Sequence, residues 1–94
     1  MTESESVGIL IDGLLKINTF EEYSAFLEDV CTIKELQDIA QRFIVACKLS
    51  DGENYNQISA ETGASSATIS RVNKCLVYGN GGYSTVIRRL KNDK

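Results

Sequence analysis

The chain is expected to be all-α, with five to six helices. Three observations lead there. Apolar residues recur at intervals of three and four along most of the 94 residues, and no stretch of useful length alternates as a half-buried strand would. No proline occurs, so nothing breaks a helix from within. Helix-start signatures also recur: Thr19 with Glu22, and Thr32 with Glu35, form capping boxes in which a hydroxyl accepts from an orphan first-turn N–H.

The first helix is expected over Ser6–Ile17. Val7, Leu10, Ile11, Leu14 and Ile17 share one side, while Ile9 and Leu15 widen the apolar surface. A helix apolar on most of its circumference needs cover on several sides, and in so short a chain a second subunit is its natural source. The second helix starts at Thr19 with the stripe Phe20, Tyr23, Phe26, Leu27, Val30. The third opens at Thr32 with Ile33, Leu36, Ile39, Ala40, Phe43, Ile44 and Cys47 on one face. It ends at "SDGEN", because Asp-Gly favours a turn. Asn54 and Gln57 open a fourth helix over Tyr55–Thr62, Gly63 and Ala64 turn the chain, and a fifth helix follows over Ser66–Tyr78. The glycines of "YGNGGY" break it, and a short amphipathic piece over Ser84–Leu90 follows with little to hold it in place. Without repeats or linkers, residues 1–94 read as one domain: dimerisation helices over 1–50, a helix-turn-helix over 54–78, and a glycine turn and basic tail over 79–94.

Composition removes several function classes. No apolar run approaches the ~20 residues of a membrane span, and an acidic start is unlike a signal peptide, so no membrane association and a cytoplasmic location are expected. There is no histidine, hence no Ser-His or Cys-His pair and no histidine-bearing metal site. Cys31, Cys47 and Cys75 are widely spaced and odd in number, and are expected to be reduced thiols, buried or half-buried. No catalytic residues, metal or cofactor are expected, and the chain does not read as an enzyme. Charge is divided along it. Met1 to Thr62 carry four Lys/Arg against twelve Asp/Glu, a net −8; Gly63 to Lys94 carry six against one, a net +5. An acidic body with a basic C-terminal third suggests an anionic partner met by one end.

The stretch "ETGASSATISRVNKCL" identifies that end. A helix that only fills a core should carry larger side chains than Ser65, Ser66, Ala67, Thr68 and Ser70. A helix entering the DNA major groove, about 12 Å wide, needs modest ones toward the bases. Ile58, Ala64, Ile69 and Val72 fall where a helix-turn-helix packs its two helices together, Ser59 is small where they approach, and Gly63 occupies the turn; Thr62 is more polar than usual there. Arg71, Asn73 and Lys74 lie farther along, suited to phosphate, and Gln57 belongs to the same surface. The expected partner is double-stranded DNA.

The residues "GENYNQISAETGASSATISRVNKCL", and "CTIKELQDIAQRFIVACKLSDGE" before them, resemble the Trp repressor family, most specifically in "GASSATISR". The resemblance covers about Thr32 to Leu76, and "RVNKCLVYGNGGY" is similar to a small Trp-repressor-related branch. It implies an intertwined helical homodimer whose two recognition helices reach successive major grooves. It also implies a corepressor pocket from Thr32, Arg42, Arg71, Val72 and Cys75. Thr32 and both arginines match the tryptophan-sensing pattern, but valine and cysteine replace the family's glycine and serine at the last two positions. Valine adds three carbons where an indole ring would lie, and overpacking costs ~1–3 kcal/mol. A small-molecule corepressor is therefore left open, but tryptophan is not expected. The glycine-rich break and basic "IRRLKNDK" do not resemble the family's final helix; completing the dimer and contacting DNA are both open to them.

The reading is thus a homodimeric, sequence-specific DNA-binding transcriptional regulator, a repressor without tryptophan sensing. The alternative is a helical protein-interaction or assembly module that uses the same surface for a protein partner.

Overall fold

The structure, a computed structural model, describes residues 1–93. Among them are six α-helices and no strand: α1 (Glu3–Leu14), α2 (Phe20–Val30), α3 (Ile33–Ser50), α4 (Tyr55–Thr62), α5 (Ser66–Tyr78) and α6 (Gly82–Asn92). They fall into two compact units, Met1–Leu36 and the remainder from Gln37.

In the first unit, α1 begins three residues earlier than the periodicity suggested. Thr2 is its N-cap and accepts from the Glu5 N–H at 3.1 Å. It also ends earlier, at Leu14. Lys16 and Ile17 donate to Gly13 and Leu14, three residues back, so the chain tightens into a turn before Thr19 caps α2. None of the α1 side chains is buried: Val7 is 53 % and Ile9 58 % exposed. The Thr32 box is reciprocal, its hydroxyl accepting from Glu35 N–H and the Glu35 carboxylate from Thr32 N–H; at Thr19 the hydroxyl accepts from Glu22 N–H, but the Glu22 carboxylate accepts one residue earlier, from Asn18 N–H.

The second unit carries the buried core. Val45 and Ala46 of α3, Ile58 of α4, Ala64 of the turn, Ile69 and Val72 of α5, and Ile87 of α6 are buried together. The expected α3 stripe needs correction. Ile44 is 47 % exposed, whereas Val45 is fully buried. The run "FIVAC" is apolar on both sides of the helix, and periodicity alone followed the longer stripe rather than the face this core uses. The last helix also differs. It is longer than Ser84–Leu90 and is held, not loose: Ile87 enters the core, Tyr83 packs against it, and Lys91 Nζ lies 2.8 Å from Asp51 Oδ1.

Polar contacts fix α4 to α3. Gln41 Nε2 donates to the Thr62 carbonyl at 3.2 Å. Lys48 Nζ lies 2.8 Å from Glu61 and 3.5 Å from Glu53, carboxylates from the two ends of the α4 segment. Glu61 is held below the usual carboxylate range, chiefly by its hydrogen bond from Lys48 and next by one from Glu53. Glu53 is pushed up, chiefly by hydrogen bonding to Glu61 and then by desolvation. The signs oppose. The contribution of Glu61 is present above its ordinary value of 4.5 and is lost as pH falls through the lowered one. That of Glu53 is present below 4.5 and fades as pH rises through the raised one.

Gly63 ends α4 with φ +75°, and a Cβ there would meet nothing within 4 Å, so the cost of a side chain is conformational alone. Gly63→Ala should destabilise by about 1–2 kcal/mol in denaturant unfolding, and an unchanged midpoint would contradict the left-handed turn. Lys48→Met should move the Glu61 titration midpoint upward in carboxyl-carbon NMR; a midpoint that stays put would mean that the lysine is not what holds it down.

Candidate nucleic-acid interface

The candidate interface centres on the turn between α4 and α5. The capping box at the start of α4 is reciprocal: Asn54 Oδ1 accepts from Gln57 N–H at 2.9 Å, and Gln57 Oε1 accepts from Asn54 N–H at 3.1 Å. The oxygen of Gln57 is thus engaged at the helix start while its side chain is exposed. At the other end of α4, Thr62 Oγ1 donates to the Ile58 carbonyl at 2.7 Å and accepts from Ala64 N–H at 3.1 Å. This accounts for a hydroxyl where an apolar residue was expected: it bridges the last turn of α4 to the residue that enters the core.

Ser65 is the N-cap of α5. Its Oγ accepts from Thr68 N–H and donates to Thr68 Oγ1, both at 3.1 Å. Ser65 therefore orients the helix start, and Thr68 beside it is half-buried. Ser66, Ala67, Ser70, Arg71 and Lys74 are exposed, Asn73 is half-buried, and Ile69 and Val72 are buried on the opposite side. The first-turn N–H groups of Ser66 and Ala67 lie outside the intrahelical ladder and carry the partial positive charge of the helix end. The outward face of α5 is thus narrow at its N-terminal end and cationic toward its C-terminal end. That arrangement suits a helix that approaches an anionic duplex end-on.

The effector positions are dispersed in character. Thr32 lies in the first unit, where its hydroxyl caps α3. Arg42, Arg71 and Cys75 are exposed, and Val72 is 2 % exposed within the core of the second unit. The exposure of Cys75 corrects the expectation of a buried or half-buried thiol; Cys31 and Cys47 are half-buried, and burial pushes the Cys47 thiol up. A groove of about 490 Å³ runs between Phe43 of α3, Cys75 of α5, and Tyr83 and Val86 of α6. Of the five effector positions, Cys75 alone lines it.

One residue of the exposed α5 face escaped the sequence reading. Tyr78, in the last turn, is 83 % exposed and falls four residues beyond Lys74 and seven beyond Arg71. That helical spacing was visible in the sequence, but an aromatic beside a glycine break reads first as packing. Among the described residues no group of three Cys, Asp or Glu is placed to hold a metal, and no helix is long and apolar enough to cross a membrane.

Relatives share both sequence and architecture. The profile of the Trp repressor protein family matches residues 5–91. The uncharacterised protein YerC of Bacillus subtilis (strain 168) is 48 % identical over 82 residues, which span 87 % of this chain and 79 % of YerC. A TrpR-like protein from Eubacterium eligens ATCC 27750 superposes with a TM-score of 0.90 at 45 % identity, covering 95 % of this chain and 92 % of that one. A candidate Trp repressor from Staphylococcus aureus superposes with a TM-score of 0.88 at 38 % identity, covering 93 % and 87 %. With a family match across nearly the whole length, and the same helical architecture in two solved relatives, the chain belongs to the Trp repressor family.

Proposed function

We propose that the protein is a homodimeric, sequence-specific DNA-binding transcriptional regulator, acting as a repressor in the cytoplasm. The observation that carries this is the outward face of α5: Ser66, Ala67 and Ser70 exposed at the groove-sized end, with Arg71 and Lys74 behind them. In this reading Ala67 and the Thr68 methyl touch thymine methyls, and Ser66 and Ser70 hydroxyls meet base edges or hold bridging waters. Ser65 sets the angle of entry, while Gln57, Arg71, Asn73 and Lys74 hold the phosphates. Membership of a family of helix-turn-helix DNA-binding regulators supports the reading. The exposed apolar side chains of α1 support the second copy, since a monomer in water would leave Val7, Ile9, Leu10 and Ile11 wet.

Salt dependence tests it. Affinity for duplex DNA should fall steeply with salt, with a slope near −0.9 per phosphate neutralised. Lys74→Ala should weaken selected and mixed-sequence duplexes alike and flatten the slope by about 1 for each lysine lost from the interface. Binding that ignores salt, or that selects a protein partner over any duplex, would favour an assembly role instead.

The retained Arg42 and Arg71 leave room for an effector, but tryptophan does not suit the site in this reading. Val72 belongs to the core, and an indole at that position would have to displace it. Tryptophan should leave the melting temperature unchanged, whereas a ligand at a hundredfold its dissociation constant would add about 2.7 kcal/mol. A saturable rise in melting temperature would show that the pocket forms around the valine.

A further inference from the structure

We propose that Tyr78 is a further DNA-contacting residue, its phenol hydroxyl donating to a phosphate at the rim of the groove that receives the start of α5. The inference rests on the DNA-binding reading and extends it to a neutral contact. Tyr78 lies on the face that carries Ala67, Arg71 and Lys74, at steps of four, three and four residues. It is 83 % exposed, whereas Tyr83, five residues on, packs against the core, so Tyr78 has no comparable structural duty within its unit.

Tyr78 is the last residue of α5. Gly79 N–H closes the last turn on the Cys75 carbonyl at 2.9 Å, and a Cβ on Gly79 would collide with that carbonyl. The helix therefore runs intact to Tyr78 and stops. Eleven residues at 1.5 Å each put Tyr78 about 16 Å along the axis from Ala67. A major groove is about 8.5 Å deep, and α5 enters it N-terminal end first in this reading. With Ala67 at the bases, the backbone of Tyr78 stands outside the groove mouth, and its side chain, leaning toward the helix N-terminus as helical side chains do, reaches back to the sugar–phosphate rim. A tyrosine hydroxyl is a regular donor to phosphate oxygens there. It brings no charge and releases no counterion, so its effect separates from that of Lys74.

The test uses the full-length protein and a fluorescently labelled mixed-sequence duplex, titrated at several salt concentrations. Tyr78→Phe keeps the ring and removes only the hydroxyl. It should weaken binding about tenfold, the scale of one hydrogen bond to a charged group, with the wild-type salt slope retained. Lys74→Ala should flatten that slope in parallel. Because the residue is exposed, melting temperature and sedimentation should match the wild type. If wild type and Lys74→Ala behave as a DNA-binding protein should and Tyr78→Phe binds as tightly as wild type, the tyrosine proposal is overturned and the function stands. If Tyr78→Phe or Tyr78→Ala instead changes the sedimenting mass, the residue is a subunit contact and the proposal is likewise overturned. If wild type binds no duplex at any salt concentration, the functional reading fails and the tyrosine contact goes with it.

Discussion

The structure depends on how α5 is held against α4. One glycine in the left-handed region reverses the chain, and Ala64 enters the core directly after it. Ile58, Ile69 and Val72 then close the angle between the two helices. Every side chain that α5 offers outward is fixed by that junction. In the proposed function, the residues that face the groove are too short to compensate for a misplaced helix. A long arginine could search for its partner, whereas Ser66 and Ala67 must be delivered to it. The polar contacts around α4 follow the same logic, with Thr62 bridging the turn and Lys48 and Gln41 tying α4 to α3.

This division of labour explains why exposed and buried residues alternate so closely along α5. Under the proposed function, small side chains would admit the helix to a narrow space, and the buried Ile69 and Val72 hold it against the core. The exposed cations at Arg71 and Lys74 would, in the same reading, supply attraction without dictating sequence. In the first unit the balance is reversed: α1 is well capped by Thr2 yet buries none of its apolar side chains. Local hydrogen bonding forms that helix, and the cover its apolar surface needs is assigned here to a second copy.

Much of this was legible in the sequence because it is local. Caps at Thr19, Thr32 and Asn54, the turn at Gly63 and the packing set Ile58, Ala64, Ile69 and Val72 are short-range patterns with few alternatives. What escaped depends on distant packing. Val45 could not be chosen over Ile44 without knowing which side of α3 meets α4 and α5, and the helix around Ile87 owes its stability to a core assembled from α3, α4 and α5 earlier in the chain. The start of α1 was missed for a simpler reason: its apolar residues begin at Val7, whereas its cap, Thr2, precedes them. At the interface, the residue types were apparent, but the capping duty of Ser65 and the exposure of Tyr78 are matters of geometry.

The most direct test follows the backbone amide signals of α5 during titration with a DNA duplex selected by the protein from a random pool. Insertion of α5 predicts the largest perturbations at Ser66, Ala67 and Ser70, fading toward Leu76 on the buried side, with α1 and α2 little affected. Perturbations confined to α1 and α2, with α5 unmoved at saturation, would contradict it.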